Sequence, residues 1–150
     1  MRIALWLHIL ATVIWVGGMF FAHVALRPAL ASLPPQVRLP LVTATLATFL
    51  RWVALAVATI VATGFLMIVV RGGFANVGPD VHVMTVLGLL MASIYGFVMA
   101  VPFPRLRQAV ASGDWETAGP ALTQVRRLVV VNLVLGLGTV TVAILGHEVV

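Results

Sequence analysis

Three of the four histidines in this chain, His8, His82 and His147, fall near the ends of long apolar runs. Imidazole is the commonest metal-ligating side chain. An ionisable side chain at membrane depth marks a functional site by default, because leaving it unpaired in hydrocarbon is costly. His8 stands near the start of the first run, His82 near the start of the third and His147 at the end of the fourth. If each run crosses a bilayer once, the chain reverses at every crossing and all three imidazoles reach one leaflet. At 1.5 Å per residue, His8 lies roughly 10 Å outward from the middle of its run, His82 roughly 13 Å and His147 roughly 15 Å. His8 is therefore the deepest, His82 sits at the rim and His147 is within reach of water.

Two ligand sets are compatible with this cluster. One is a bis-imidazole haem, with His8 and His82 as axial ligands from facing helices and small residues beside the macrocycle. Gly17, Gly18, Gly64, Gly88, Gly96, Gly136 and Gly138 are the candidates for that space. The plainer reading of these glycines is close helix packing. The other set is copper, with His8 and His82 joined by Met84 or Met67, since imidazole and thioether both suit it. The plainer reading of either methionine is gap filling in an apolar core. Trp15 lies two turns below His8 on the same helix face, where it lines the floor of such a site or simply packs. His147 completes the metal candidates, although an interfacial histidine beside a helix-ending glycine needs no ligand role. His23 precedes Arg27 and reads as an interfacial residue.

The positioning elements follow from composition. Of 150 residues, 62% are apolar, against about 45–50% in a soluble domain. Four runs, roughly 3–26, 52–70, 81–101 and 128–146, each approach the ~20 residues that cross a bilayer. Their backbones must satisfy their own hydrogen bonds, so they are expected to be helices. The expectation is an all-α integral membrane protein, a four-helix transmembrane bundle forming one domain over 1–150. Allowing for projecting ends, its helices should span about 3–26, 40–70, 79–101 and 120–146. The first run exceeds the ~7–15 residues of a signal-peptide core, so it reads as a retained helix.

The connections set the orientation. Pro28, Pro34, Pro35 and Pro40 break the first, with the second helix expected to start near Pro40. Arg71 to Pro79 forms a short turn, and Pro79 and Asp80 suit the first turn of the third helix. Pro102 and Pro104 open the third connection, in which Ser112-Gly113-Asp114-Trp115-Glu116 reads as a turn followed by a short interfacial helix. All nine basic residues are Arg. Seven of them (Arg27, Arg38, Arg51, Arg105, Arg107, Arg126 and Arg127) lie at one side, and only Arg2 and Arg71 at the other. The positive-inside rule then predicts a bacterial inner-membrane protein with both Arg-rich loops in the cytoplasm and both termini periplasmic. The same clustering accounts for the net charge of +5 without nucleic acid. With no Cys, disulfides and thiolate metal sites are excluded. No Ser-His-Asp set, paired intramembrane carboxylates or phosphate-binding loop occurs, so hydrolase and nucleotide chemistry are not expected and no enzyme activity is assigned. Asn132, inside the fourth run, is expected to bond another helix near Arg51. The two hairpins also resemble each other weakly, each opening with an outer histidine and closing over an Arg-rich loop.

The stretch Leu7-His8-Ile9-Leu10-Ala11-Thr12-Val13-Ile14-Trp15-Val16-Gly17-Gly18-Met19-Phe20 resembles the first-helix motif of CopD-type copper-resistance membrane proteins. Val81-His82-Val83-Met84, followed by Val101-Pro102-Phe103-Pro104-Arg105-Leu106-Arg107, is similar to a second block of that family. Arg126-Arg127-Leu128-Val129 with Asn132-Leu133 and Leu135-Gly136 is similar to its closing helix. The resemblance implies a small standalone member associated with copper uptake from the periplasm, and it places copper above haem b as the bound group. The first-helix pattern also resembles the haem-binding HemJ-type membrane proteins, whose intrahelical basic residues this sequence lacks. A third expectation, from another class, is a cofactor-free structural subunit of a membrane complex. Beyond the lipid bilayer, the partners in view are a periplasmic copper protein or redox partner and a second copy of the chain.

Overall fold

The computed structural model describes residues 1–146. Helix α1 runs Arg2–Phe21 and passes through a π-helical turn, Ala22–Leu26, into the short α2, Arg27–Ala29. Helix α3 spans Pro35–Val70, α4 Pro79–Ala100, α5 Pro102–Ser112 and α6 Trp115–Leu145. Four segments, Arg2–Ala29, Pro35–Val70, Pro79–Ser112 and Trp115–Leu145, are long and apolar enough to cross a membrane. The protein is thus an all-α membrane bundle, and a lipid bilayer is its environment. Its surface agrees: Ile3, Val69, Val86 and Val134 stand more than 60% exposed, positions that only an apolar solvent accommodates.

Helix α1 packs mainly on α3 and α4 mainly on α6, with lesser contacts closing the ring between α1 and α6 and between α3 and α4. Helices α1 and α4 therefore stand diagonally across the bundle. The start of α4 meets the end of α6, where Asp80 lies beside Gly146. That end also carries His8 and His82, while Arg27, Arg38, Arg105, Arg107, Arg126 and Arg127 stand at the other, and Arg51 lies near the middle of α3.

Two boundaries differ from the sequence reading, both because of proline. Helix α3 starts at Pro35 rather than near Pro40, and α6 starts at Trp115 rather than near 120. Pro40 and Pro120 each occupy the sixth position of their helix, so only an early backbone bond is lost. At ~1.5 Å per residue, α3 reaches about 54 Å and α6 about 46 Å, well beyond a ~30 Å hydrocarbon layer. Both therefore project at the arginine-rich end.

The third connection is corrected more fully. The short helix precedes the Ser112–Glu116 turn instead of following it. Pro102 and Pro104 begin α5, where a missing N–H has no intrahelical partner to lose. Gly113, at φ 71°, ends α5 in the left-handed conformation that favours glycine. Asp114 then caps α6, its Oδ1 accepting from Thr117 N–H at 3.0 Å. Helix α5 buries Phe103, Leu106 and Ala109 on one face, while Arg107 lies over the Phe103 ring.

The buried core has two tiers. The larger sits at the arginine-rich end, where Leu39, Val42, Leu50 and Val98 pack on the α5 face and on Ala118, Ala121, Leu122 and Val125 of α6. The second occupies the bundle centre around Trp15, Met19, Val53, Ala56, Met91 and Leu133. Gly18 and Gly136 permit close approach there. A methyl at Gly18 would meet the Phe49 ring, and one at Gly136 would stand 2.9 Å from Val16 Cγ2 and 3.2 Å from Met91 Cε.

Candidate metal centre

His8 lies six residues in from the start of α1, half-buried against α3. Its Nδ1 is 2.9 Å from Thr63 Oγ1, and its ring rests 3.4 Å from where a Gly64 side chain would begin. The Thr63 hydroxyl is 2.6 Å from Thr59 O. A carbonyl oxygen only accepts, so the hydroxyl proton points to Thr59 and the hydroxyl oxygen accepts from His8 Nδ1–H. Nε2 takes no part in the contact with Thr63. A histidine whose Nδ1–H is anchored by a neighbour, with Nε2 as donor atom, is the arrangement that fixes a metal ligand's tautomer and ring orientation.

Neither Thr59 nor Thr63 stood out in the sequence. The signal was present in their spacing: two threonines four residues apart share one face of α3, at a depth that matches His8 in the antiparallel neighbour. Threonine is common enough in membrane helices, bonding its own i−4 carbonyl, that this spacing alone attracts no notice.

His82 is exposed at the start of α4. Its Nδ1–H donates to Gly78 O at 3.0 Å, and its ring lies tilted at 49° to Phe74 with centroids 5.7 Å apart; Phe74 in turn meets Phe65 edge-on. Here too the Nε2 atom is uncommitted. Met84 is half-buried two residues on, and residues two apart on a helix face opposite ways. The fold therefore turns His82 toward the rim and Met84 toward the bundle. Met67, half-buried, follows Thr63 by one turn on the same face of α3. Trp15 is 4% exposed in the central core and meets Tyr95 edge-on at 6.5 Å. His147 lies outside the described residues. Among those described, no group of three His, Asp or Glu side chains gathers into a metal site.

Asn132 lies deep in the bundle centre at 4% exposure. Its Nδ2 donates to Met91 O at 3.1 Å, so the helix it holds is α4. Arg51 is not near it in any bonding sense. That guanidinium is exposed and folds back onto Ala47 O and Thr48 of its own helix. The Asn132 Oδ1 has no hydrogen-bond partner. Small gaps remain around it, lined by Trp15, Met19, Leu50 and Tyr95. Tyr95 donates to Leu50 O at 3.0 Å.

No curated protein and no solved structure matches the chain. A family model described as copper resistance protein D matches residues 43–145. The matched segment takes in Met67, His82, Met84 and Asn132, as well as the Thr59–Thr63 pair, and begins after His8. An apolar four-span bundle with this match over more than half its length belongs to the copper resistance protein D family.

Proposed function

We propose that this protein binds copper at the His8 end of the bundle and serves copper uptake or resistance. His8 is the anchoring ligand through Nε2. Met67 and Met84, on the bundle side, are the further donors, His82 at the rim and His147 are auxiliary ones, and Trp15 belongs to the floor beneath them. The observation that carries this reading is the His8–Thr63–Thr59 chain, which leaves an imidazole at membrane depth with a fixed tautomer and a free donor nitrogen. Imidazole and thioether together accommodate copper in either oxidation state. Membership of the copper-resistance family supports the choice of metal. The arginine distribution supports an inner-membrane location with the His8 end, and both termini, facing the periplasm. A periplasmic copper carrier would then meet the protein at that face.

Haem is the second reading, favoured by one observation: both His8 and His82 spend Nδ1 on the protein and keep Nε2 free, as axial ligands do. Metal analysis and an absorption spectrum of the purified protein separate the readings. Bound copper without a Soret band is expected. His8→Ala should lose the copper, whereas His147→Ala should keep most of it. A Soret band that disappears in His8→Ala would replace copper by haem. A protein with neither copper nor haem after copper loading would overturn both readings and leave a structural subunit.

A further inference from the structure

The arginine-rich end holds a second constellation, unconnected with the copper reading. A small cleft of about 40 Å³ opens between the π-helical turn, α3 and α6. Its walls are largely apolar, with Leu26, Val42 and Leu122 among them, and Arg27, Arg126 and His23 complete the lining. The π turn matters to this placement. One extra residue in the turn re-aims the side chains that follow it, and such bulges recur at functional sites. Arg38, projecting from the first turn of α3, adds a third guanidinium. Arg38 lies one helical turn before the lining residue Val42 on the same face of α3, which sets it at the edge of the cleft. Arg38 Nη1 reaches Ala31 O at 3.4 Å, but its Nε is fully covered and has no hydrogen-bond partner.

Three guanidiniums thus gather beside an apolar cleft without a counter-charge. Of the carboxylates among the described residues, Asp80 is at the far end of the bundle. Asp114 and Glu116 begin α6, and Glu116 is roughly 15 Å along that helix from Arg126. Like charges held together this way repel one another until an anion bridges them. Guanidinium forks match phosphate oxygens, and basic pockets between membrane helices suit anionic lipid headgroups. A free phosphate would satisfy the charges and leave the apolar wall bare, whereas a phospholipid covers both.

We infer that Arg27, Arg38 and Arg126 bind the phosphodiester headgroup of an anionic phospholipid, with the glycerol end of the lipid against Leu26 and Val42. The cleft accommodates only that end, and the acyl chains remain in the bilayer beside the π turn.

The test uses the full chain, purified and stripped of lipid, then supplied with phosphatidylglycerol, phosphatidylcholine or inorganic phosphate. Native mass spectrometry and the thermal midpoint are the readouts. Phosphatidylglycerol should be retained and should raise the midpoint, and the other two should do neither. Loss of one guanidinium should weaken retention about fivefold, and loss of two about 25-fold. Arg27→Gln, at an exposed position that leaves packing intact, should show the single step, and Arg27→Gln/Arg38→Gln the double. Arg105→Gln/Arg107→Gln, at the same end but on α5 and away from the cleft, should weaken retention less than Arg27→Gln alone. Equal stabilisation by phosphatidylcholine would overturn the proposal. So would full stabilisation by inorganic phosphate alone, or an equal loss in the α5 variant, which would reduce the effect to general surface charge.

Discussion

His8 and Thr63 join α1 to α3 through a 2.9 Å hydrogen bond whose direction is set by a third residue, Thr59. Because the threonine proton is already committed, the bond does more than hold two helices together: it selects which imidazole nitrogen stays available. Thr63→Val keeps the shape and removes the acceptor. Its copper affinity should fall about 10- to 100-fold, as for other residues that orient a metal ligand, while the protein stays folded. Thr63→Ser should restore most of the affinity. Copper titration of the purified variants measures this, and parental affinity in Thr63→Val would reduce the contact to packing.

The bundle's orientation is tested by reporter fusions after Val150. Alkaline phosphatase should be active there and a cytoplasmic reporter silent, given seven arginines against two. The reverse pattern would turn the histidines toward the cytoplasm.

Asn132 is the polar link between α6 and α4 at the bundle centre. Asn132→Ala should lower stability by about 1 kcal/mol for the interhelical bond, with a further loss from the gap left beside Trp15 and Tyr95. Asn132→Leu fills that volume and removes an oxygen that has no partner, so it should be the milder change. Unfolding in mixed micelles ranks the two, and a reversed order would mean that Oδ1 has a partner in the membrane.

The turn between α5 and α6 should respond to acid. The Thr117 side chain and backbone amide hold the Asp114 carboxyl below the ordinary carboxylate range. A carboxyl whose folded value is depressed stabilises the fold above its unfolded value, near pH 4, and that contribution is lost as pH falls through the folded value. The protection factor of the Thr117 amide should therefore fall below about pH 4 and should be small at neutral pH in Asp114→Ala. Unchanged exchange in Asp114→Ala would remove the cap from the account.

Much of this architecture was legible from apolar run length alone, because a bilayer imposes one thickness on every crossing. The family match at residues 43–145 agrees with the resemblance read from the motifs around His82, Pro102 and Arg126. What escaped the sequence were features set by local geometry or by pairing across helices. Pro102 and Pro104 look like a break, yet the first turn of a helix has no use for their missing N–H groups. The π turn at Ala22–Leu26 has no composition of its own. Thr63 became visible only once α1 lay against α3, since a threonine in an apolar helix ordinarily serves its own backbone.

The two-tiered core gives the molecule a gradient of stiffness. Leu106, Ala118 and Val125 have no exposed surface at the arginine-rich end, whereas toward the His8 end the buried positions of α3 thin out to Thr63 and Ile68, neither of them fully covered. Regions with few buried contacts open at low free energy while densely packed ones stay closed. The base therefore works as an anvil and the opposite end as a pliable mouth. Small tilts of the helix ends there cost less than the same tilts at the base. The copper site proposed at the histidines would need only that local loosening to take up its ion, and the base would keep its packing.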